Sequence, residues 1–224
     1  MKLINTKVEF VNPPDYQTVL KTVEQVGRTC YKSEDKMTDD SAAGFISRLI
    51  ARNHGAIIEH ASVTMRFFID RGVSHEVVRH RIASYAQEST RYCNYMQSKF
   101  GSEVTYINLI GGMQLDGKVK NLDSETFDLI YSEWIAACED AERHYLRMLR
   151  LGATPQIARS VLNNSTKTEL CVTMNMREWR HFCMLRTDET AHPQMREAAC
   201  IALDMLYGAY PVFFEDLMHK EVAQ

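Results

Sequence analysis

The 224-residue sequence lacks a CxxC pair, a GxGxxG loop, an HExxH zinc motif, a basic excess and any apolar run long enough to span a membrane. Each absence removes a class of function. Cys30, Cys93, Cys138, Cys171, Cys183 and Cys200 are widely scattered, so reduced thiols in the cytoplasm are expected rather than a disulfide framework. The opening MKLINTKVEF alternates polar and apolar residues without a signal-peptide core, and no membrane partner is expected. With 26 basic against 29 acidic residues the net charge is −3, which argues against a nonspecific nucleic-acid binder. Residues 75–80 read HEVVRH, one residue longer than the zinc motif. On a helix the two histidines would stand about 140° apart, so no metal site is expected. Gly111-Gly112 is a bare pair, so any nucleotide cofactor has to be held by side chains.

What is present is an ordinary globular composition, 45% hydrophobic and 25% charged, without linkers, repeats or low-complexity runs, and it reads as one domain over 1–224. Alternation predicts strands over 2–12, 57–70 and 168–174, and extended structure over 85–110. Within 57–70, Ala61, Val63, Met65, Phe67 and Ile69 share one face. Caps and helical spacing predict helices from Asp15 to about Tyr31, from Ser41 to near His54, from Ser74 through the triplet at 79–81, and from Asp123 to about Leu151, where Gly152 stops it. Thr154-Pro155 opens a helix through Leu162, Asn175 caps another, and Pro193 starts the last, which Pro211 kinks or splits. Strands separated by unequal helices indicate an α+β domain with a helical layer over about 122–165.

The densest chemistry lies in residues 79–92, RHRIASYAQESTRY. Arg79, His80 and Arg81 are consecutive, and at about 100° per helical residue they cannot share one solvated face. At least one cation must turn toward the protein or a ligand, and a guanidinium matches phosphate or carboxylate oxygens in bidentate fashion. A second basic group recurs downstream: ARSVL at 158–162, Asn175-Met176-Arg177, His181, and Leu185-Arg186. Arg177 and His181, four apart, share a helix face beside the Asn175 cap, a position suited to orienting a cofactor. The recurrence favours a small-anion site over solvated surface charge. Ser89 has no GxSxG elbow and reads as a hydrogen-bonding residue rather than a nucleophile. Besides an enzyme, a non-catalytic nucleotide-binding module and an RNA-binding protein remain open, the last requiring steep salt dependence.

The RHR-x7-S pattern of Arg79, His80, Arg81 and Ser89, extended by Ser84, Tyr85, Arg91 and Tyr92, resembles the signature of the flavin-dependent thymidylate synthases. ARSVL, Asn175-x-Arg177 and Leu185-Arg186 resemble that family's carboxy-terminal landmarks, and the likeness spans about residues 54–190. It implies the family's α+β fold, a mixed or antiparallel sheet with packed long helices. It also implies reductive methylation of dUMP to dTMP, with methylenetetrahydrofolate as carbon donor and FAD reduced by NADPH or NADH as hydride source. By the same resemblance, FAD contacts come from His54, Ala56, Arg79, His80, Arg81, Gln87, Asn175, Arg177 and His181. Contacts to dUMP come from Glu76, Arg79, Gln87, Glu88, Ser89, Arg91, Arg159 and Arg186, with Arg186 catalytic through polarisation of the uracil ring. A homotetramer with composite sites is implied as well. The chain departs from the family's frequent residues at Glu76 (often Gln), at Ala86-Gln87 (often Asn-Glu) and at Gln156 (often acidic), and Ala56 has no hydroxyl to offer.

Overall fold

The computed structural model describes residues 1–218; residues 219–224 of the expected domain lie outside the described residues. In chain order the strands are β1 Lys2–Ile4, β2 Lys7–Phe10, β3 Ser62–Asp70, β4 Ser84–Gln87, β5 Thr105–Ile107 and β6 Lys167–Asn175. The helices are α1 Tyr16–Tyr31, α2 Ser41–Ala51, α3 Arg71–Val77, α4 Ile110–Leu115, α5 Ser124–Arg150, α6 Pro155–Ala158, α7 Met176–Arg186, α8 Pro193–Ala209 and α9 Pro211–Met218. Among the described residues no helix is long and apolar enough to cross a membrane. None of the six cysteines is in a disulfide.

Two strands make the spine. β3 and β6 pair antiparallel along their whole length, from Ser62 opposite Asn175 to Asp70 opposite Lys167. β2 joins the β3 edge and β4 the β6 edge, while β1 and β5 form a separate parallel pair. The period-2 pattern explains the layering. Val63, Met65, Phe67 and Ile69 of β3 and Leu170, Val172 and Met174 of β6 are buried, and they share one core with Val23, Phe45, Trp179, Phe182, Leu206 and Phe213 of the helices. The opposite sheet face carries half-buried polar residues, with Thr64 and Thr173 hydrogen-bonded across the strands at 2.8 Å. Trp179 anchors α7 to the sheet: its indole N–H donates to the Val63 carbonyl at 3.0 Å, and its ring stacks on Phe67 and meets Phe182 edge-on.

A second, smaller core of Tyr95, Val104, Tyr106, Cys138, Tyr145, Leu149 and Ala158 lies under α5. Only the later part of that helix is fully covered. Leu129 is 60% exposed and Ile130 is exposed as well, although helical spacing places Ile130 on the apolar stripe.

Three predicted caps form. Asp15, Asp123 and Asn175 accept from the backbone N–H groups of Thr18, Thr126 and Glu178 at 2.9–3.0 Å. Gly152 follows α5 at φ +94, where a side chain would be strained. Pro211 separates α8 from α9.

Other expectations need correction. The strand expected over 2–12 breaks after Ile4, and its two halves enter different sheets. Residues 57–60 form a 3-10 turn, and β3 starts only at Ser62. Of the extended stretch expected over 85–110, only β4 and β5 are strands, and Ile110 opens a helix. The helix from Thr154 stops at Ala158 and continues as a 3-10 turn over 159–161. The helix after β3 is capped by Asp70, whose carboxylate accepts from Val73 N–H at 2.7 Å; Ser74 instead donates its hydroxyl to the Arg71 carbonyl. α3 ends at Val77, so Arg79-His80-Arg81 lies beyond the helix. The Tyr85 hydroxyl donates to the carbonyls of Val77 and His80, taking up polar groups that a further helical turn would have used.

Candidate active site

α7 presents two chemical faces. Trp179, Phe182 and Cys183 enter the core, while Arg177 and His181 stand exposed on the other side. Along the exposed side runs a hollow of about 540 Å³ lined by Ile50, Asn53, Gly55, Arg177, His181 and Met184, among others. A second hollow of about 260 Å³ holds Arg79, His80, Arg81, Leu185 and Arg186. Ile82, Glu178 and His181 line both, so the two adjoin. Most of the residues expected to contact FAD therefore come together. His54 and Ala56 do not line the larger hollow themselves but are chain neighbours of Asn53 and Gly55, which do, and the His54 ring meets the Tyr31 hydroxyl at 3.0 Å. Asn53 turns the chain there at φ +58. Gly55 permits close approach, since a Cβ on it would lie 3.0 Å from Arg177 Nε. Arg177 is held outward by Glu59 at 2.6 Å.

His80 is the member of the triplet that turns inward. It is buried, whereas Arg79 and Arg81 are exposed. Its Nδ1 meets Glu178 Oε1 at 3.2 Å, and its Nε2 receives Arg186 Nε–H at 3.1 Å. A guanidinium can only donate, so Nε2 is the acceptor and the proton sits on Nδ1. Burial, reinforced by the nearby Arg186 and His181 charges, pushes the His80 pKa below the ordinary 6.5, although Glu178 pulls the other way. The folded state therefore favours neutral His80. The stability this contributes is present above the unfolded pKa and is lost as pH falls below it. We expect the urea midpoint to drop between about pH 7.5 and about pH 5.5, and to drop less in His80→Asn, which keeps a donor toward Glu178 without a titrating ring. Equal drops in both proteins would contradict the assignment. Tyr85, whose hydroxyl fixes the His80 backbone, is pushed up to about 12 by burial and stays a phenol.

Arg186 ends α7 and is tied down on three sides. Besides His80, it donates from Nη1 to Glu76 Oε2 at 3.1 Å and from Nη2 to the Glu76 carbonyl at 3.3 Å. With five N–H groups on a guanidinium, two remain without a protein partner among the described residues.

The residues expected to hold dUMP do not all join this groove. Arg159 sits in a separate hollow of about 400 Å³ with Arg71, His75, Thr90 and Gln156, and donates to the Thr90 hydroxyl at 3.2 Å. His75 and His80 thus line different hollows. Gln87 donates to the hydroxyls of Ser74 and Thr168, and Glu88 accepts from Tyr95 and Lys167, both at 2.9 Å. Ser89 Oγ accepts from the Arg91 backbone N–H, and the exposed Arg91 guanidinium lies 5.4 Å from the Tyr92 ring centre. Both His80 nitrogens are committed elsewhere, so His80 is not placed to act as a base on Ser89.

Two participants escaped sequence reasoning. Glu178 follows Asn175 by three residues, the spacing of a capping box, and that signal could have marked it. His192, whose Nδ1 meets Glu76 Oε1 at 2.8 Å, has no local signal beyond the proline that follows it. His80, Glu178 and His181 also bring ligand atoms within 4.8 Å of one another, a set that could hold a metal ion. The hydrogen bonds already made by His80 and the adjoining Arg186 charge oppose a cation there.

The profile of a family described as thymidylate synthase complementing protein matches residues 15–212. The chain is 34% identical to a flavin-dependent thymidylate synthase of Mycobacterium tuberculosis (strain ATCC 25618 / H37Rv) over 223 residues, covering 94% of this chain and 86% of that protein. A protein of the same name from Mycobacterium sp. (strain JLS) is 34% identical over 227 residues, covering 94% and 87%. Among solved structures, the UMP/dUMP methylase PolB from Streptomyces cacaoi, bound with 5-Br dUMP, superposes with a TM-score of 0.79 at 24% identity, over 98% of this chain and 97% of that one. That likeness concerns the fold.

Proposed function

Because the chain belongs to the flavin-dependent thymidylate synthase family, we propose that it methylates dUMP to dTMP reductively, with FAD seated along α7. The observation that carries this reading is the pair of adjoining hollows, apolar at Ile50, Ile58, Ile82 and Met184 and cationic at Arg79, Arg81, Arg177 and Arg186. The larger of the two falls within the roughly 300–1,000 Å³ usual for cofactor sites. Apolar walls beside guanidinium groups fit an aromatic ring system that carries a pyrophosphate. When bound, FAD supplies the hydride, which it takes from NAD(P)H, and methylenetetrahydrofolate supplies the carbon.

The residues of the chain supply position and charge. Asn175, Arg177, His181, His80, Arg79, Arg81 and Gln87 hold the flavin, with His54 and the Ala56 backbone beside them. Ser89, Arg91 and Arg159 hold dUMP, with Arg79, Glu76, Gln87 and Glu88 also on the substrate side. Arg186, always protonated, stabilises the negative charge that develops on the uracil ring as C6 accepts hydride. Arg159 and Arg186 line separate hollows of one chain, an arrangement suited to a nucleotide site completed by a second copy. A homotetramer with composite sites supplies one, and the exposed apolar side chains of Leu129, Leu151 and Ile157 offer surface for it. We read the chain as one synthase domain working in the cytoplasm, in keeping with cysteines that form no disulfide.

The purified protein is expected to be yellow, with the visible absorption of oxidised flavin, and to scatter light as four chains. A colourless protein that takes up no added FAD, or a fully active monomer, would contradict this reading.

A further inference from the structure

One carboxylate holds both ends of the segment between α7 and α8. Glu76, on α3, receives Arg186 on Oε2 at 3.1 Å and His192 on Oε1 at 2.8 Å. Arg186 is the last residue of α7, and His192 is the N-cap of α8. The His192 carbonyl closes the first turn of α8 by accepting from Arg196 N–H at 2.9 Å, but its side chain makes no capping bond. His192 lines none of the three hollows described above. Its side chain therefore does not cap the helix start; it points at Glu76.

The terminal torsion of a glutamate is soft, and a carboxylate beside a guanidinium tends to swing into a two-bond fork. Such a fork would engage one of the two N–H groups that Arg186 keeps free. A donor fixed on Oε1 opposes that rotation. We propose that His192 is a positioning residue for Arg186: by occupying Oε1 of Glu76, it limits the carboxylate to one contact with Arg186 and leaves the outer N–H groups of the guanidinium open to substrate. The inference rests on the reading that Arg186 acts on the pyrimidine of dUMP.

The test compares His192→Ser with His192→Asn in the FAD-loaded protein. Serine starts a helix well but is too short to reach Glu76, whereas the asparagine amide can stand where Nδ1 stands. We expect His192→Ser to lower kcat for dTMP formation about tenfold, with KM for dUMP and FAD content within about twofold of wild type, and His192→Asn to restore kcat to within about threefold. A normal kcat in the serine variant, or equal losses in both variants, would overturn the positioning role alone. Absence of dTMP formation by the wild-type holoprotein would overturn the underlying activity, and the inference with it.

Discussion

Arg186→Lys is expected to lower turnover of dUMP about a hundredfold while FAD content stays near that of wild type, the scale seen when one preorganised donor is lost from a transition-state site. Lysine keeps a positive charge beside Glu76, so the ion pair at the end of α7 survives in part. What it loses is the planar fork. Arg186 reaches His80 Nε2, Glu76 Oε2 and the Glu76 carbonyl at once, and a single ammonium cannot make all three contacts and still offer donors to a ligand. The check is the anaerobic rate of flavin oxidation on adding dUMP and methylenetetrahydrofolate, read beside the flavin absorbance of the same sample. Near-normal oxidation in the variant would leave Arg186 as a structural helix-end ion pair.

Trp179→Ala is expected to destabilise the protein by about 3–5 kcal/mol, the usual range for removing a fully buried large aromatic. The ring has no measurable exposure, packs on Phe67 and Phe182, and holds the Val63 carbonyl through its N–H. Its loss leaves a cavity beside the β3–β6 pair and takes one donor away from the Val63 carbonyl. The effect should reach function, because the same helix carries Arg177, His181 and Arg186 on its other side. Denaturant unfolding measures it, and a loss below about 1 kcal/mol would mean that α7 is anchored elsewhere.

Local chemistry made much of this legible from sequence. β3 and β6 were visible because alternation with a buried face leaves a period of two in the sequence, and α1, α5 and α7 were visible because Asp15, Asp123 and Asn175 cap them by short-range hydrogen bonds. The end of α3 was not visible. It depends on the Tyr85 hydroxyl returning to Val77 and His80 from the next strand, a contact with no local signature. The exposure of Ile130 is likewise a tertiary fact, since an apolar helical stripe marks a face to cover without saying what covers it. In the site, the RHR triplet and the α7 cations were readable as an anion-binding set. Their linkage through Glu76, Glu178 and His192 joins three helices and appears only in the fold. The placement of Arg159 and Arg186 in separate hollows is also invisible in a linear motif.

The most direct test is a single anaerobic turnover. The FAD-loaded protein is reduced stoichiometrically, NAD(P)H is removed, and dUMP is added together with methylenetetrahydrofolate. The account predicts that the flavin band returns as dTMP appears, with about one dTMP per flavin and no dTMP when methylenetetrahydrofolate is omitted. Flavin that stays reduced in the presence of both substrates, or reoxidises without forming dTMP, would contradict it.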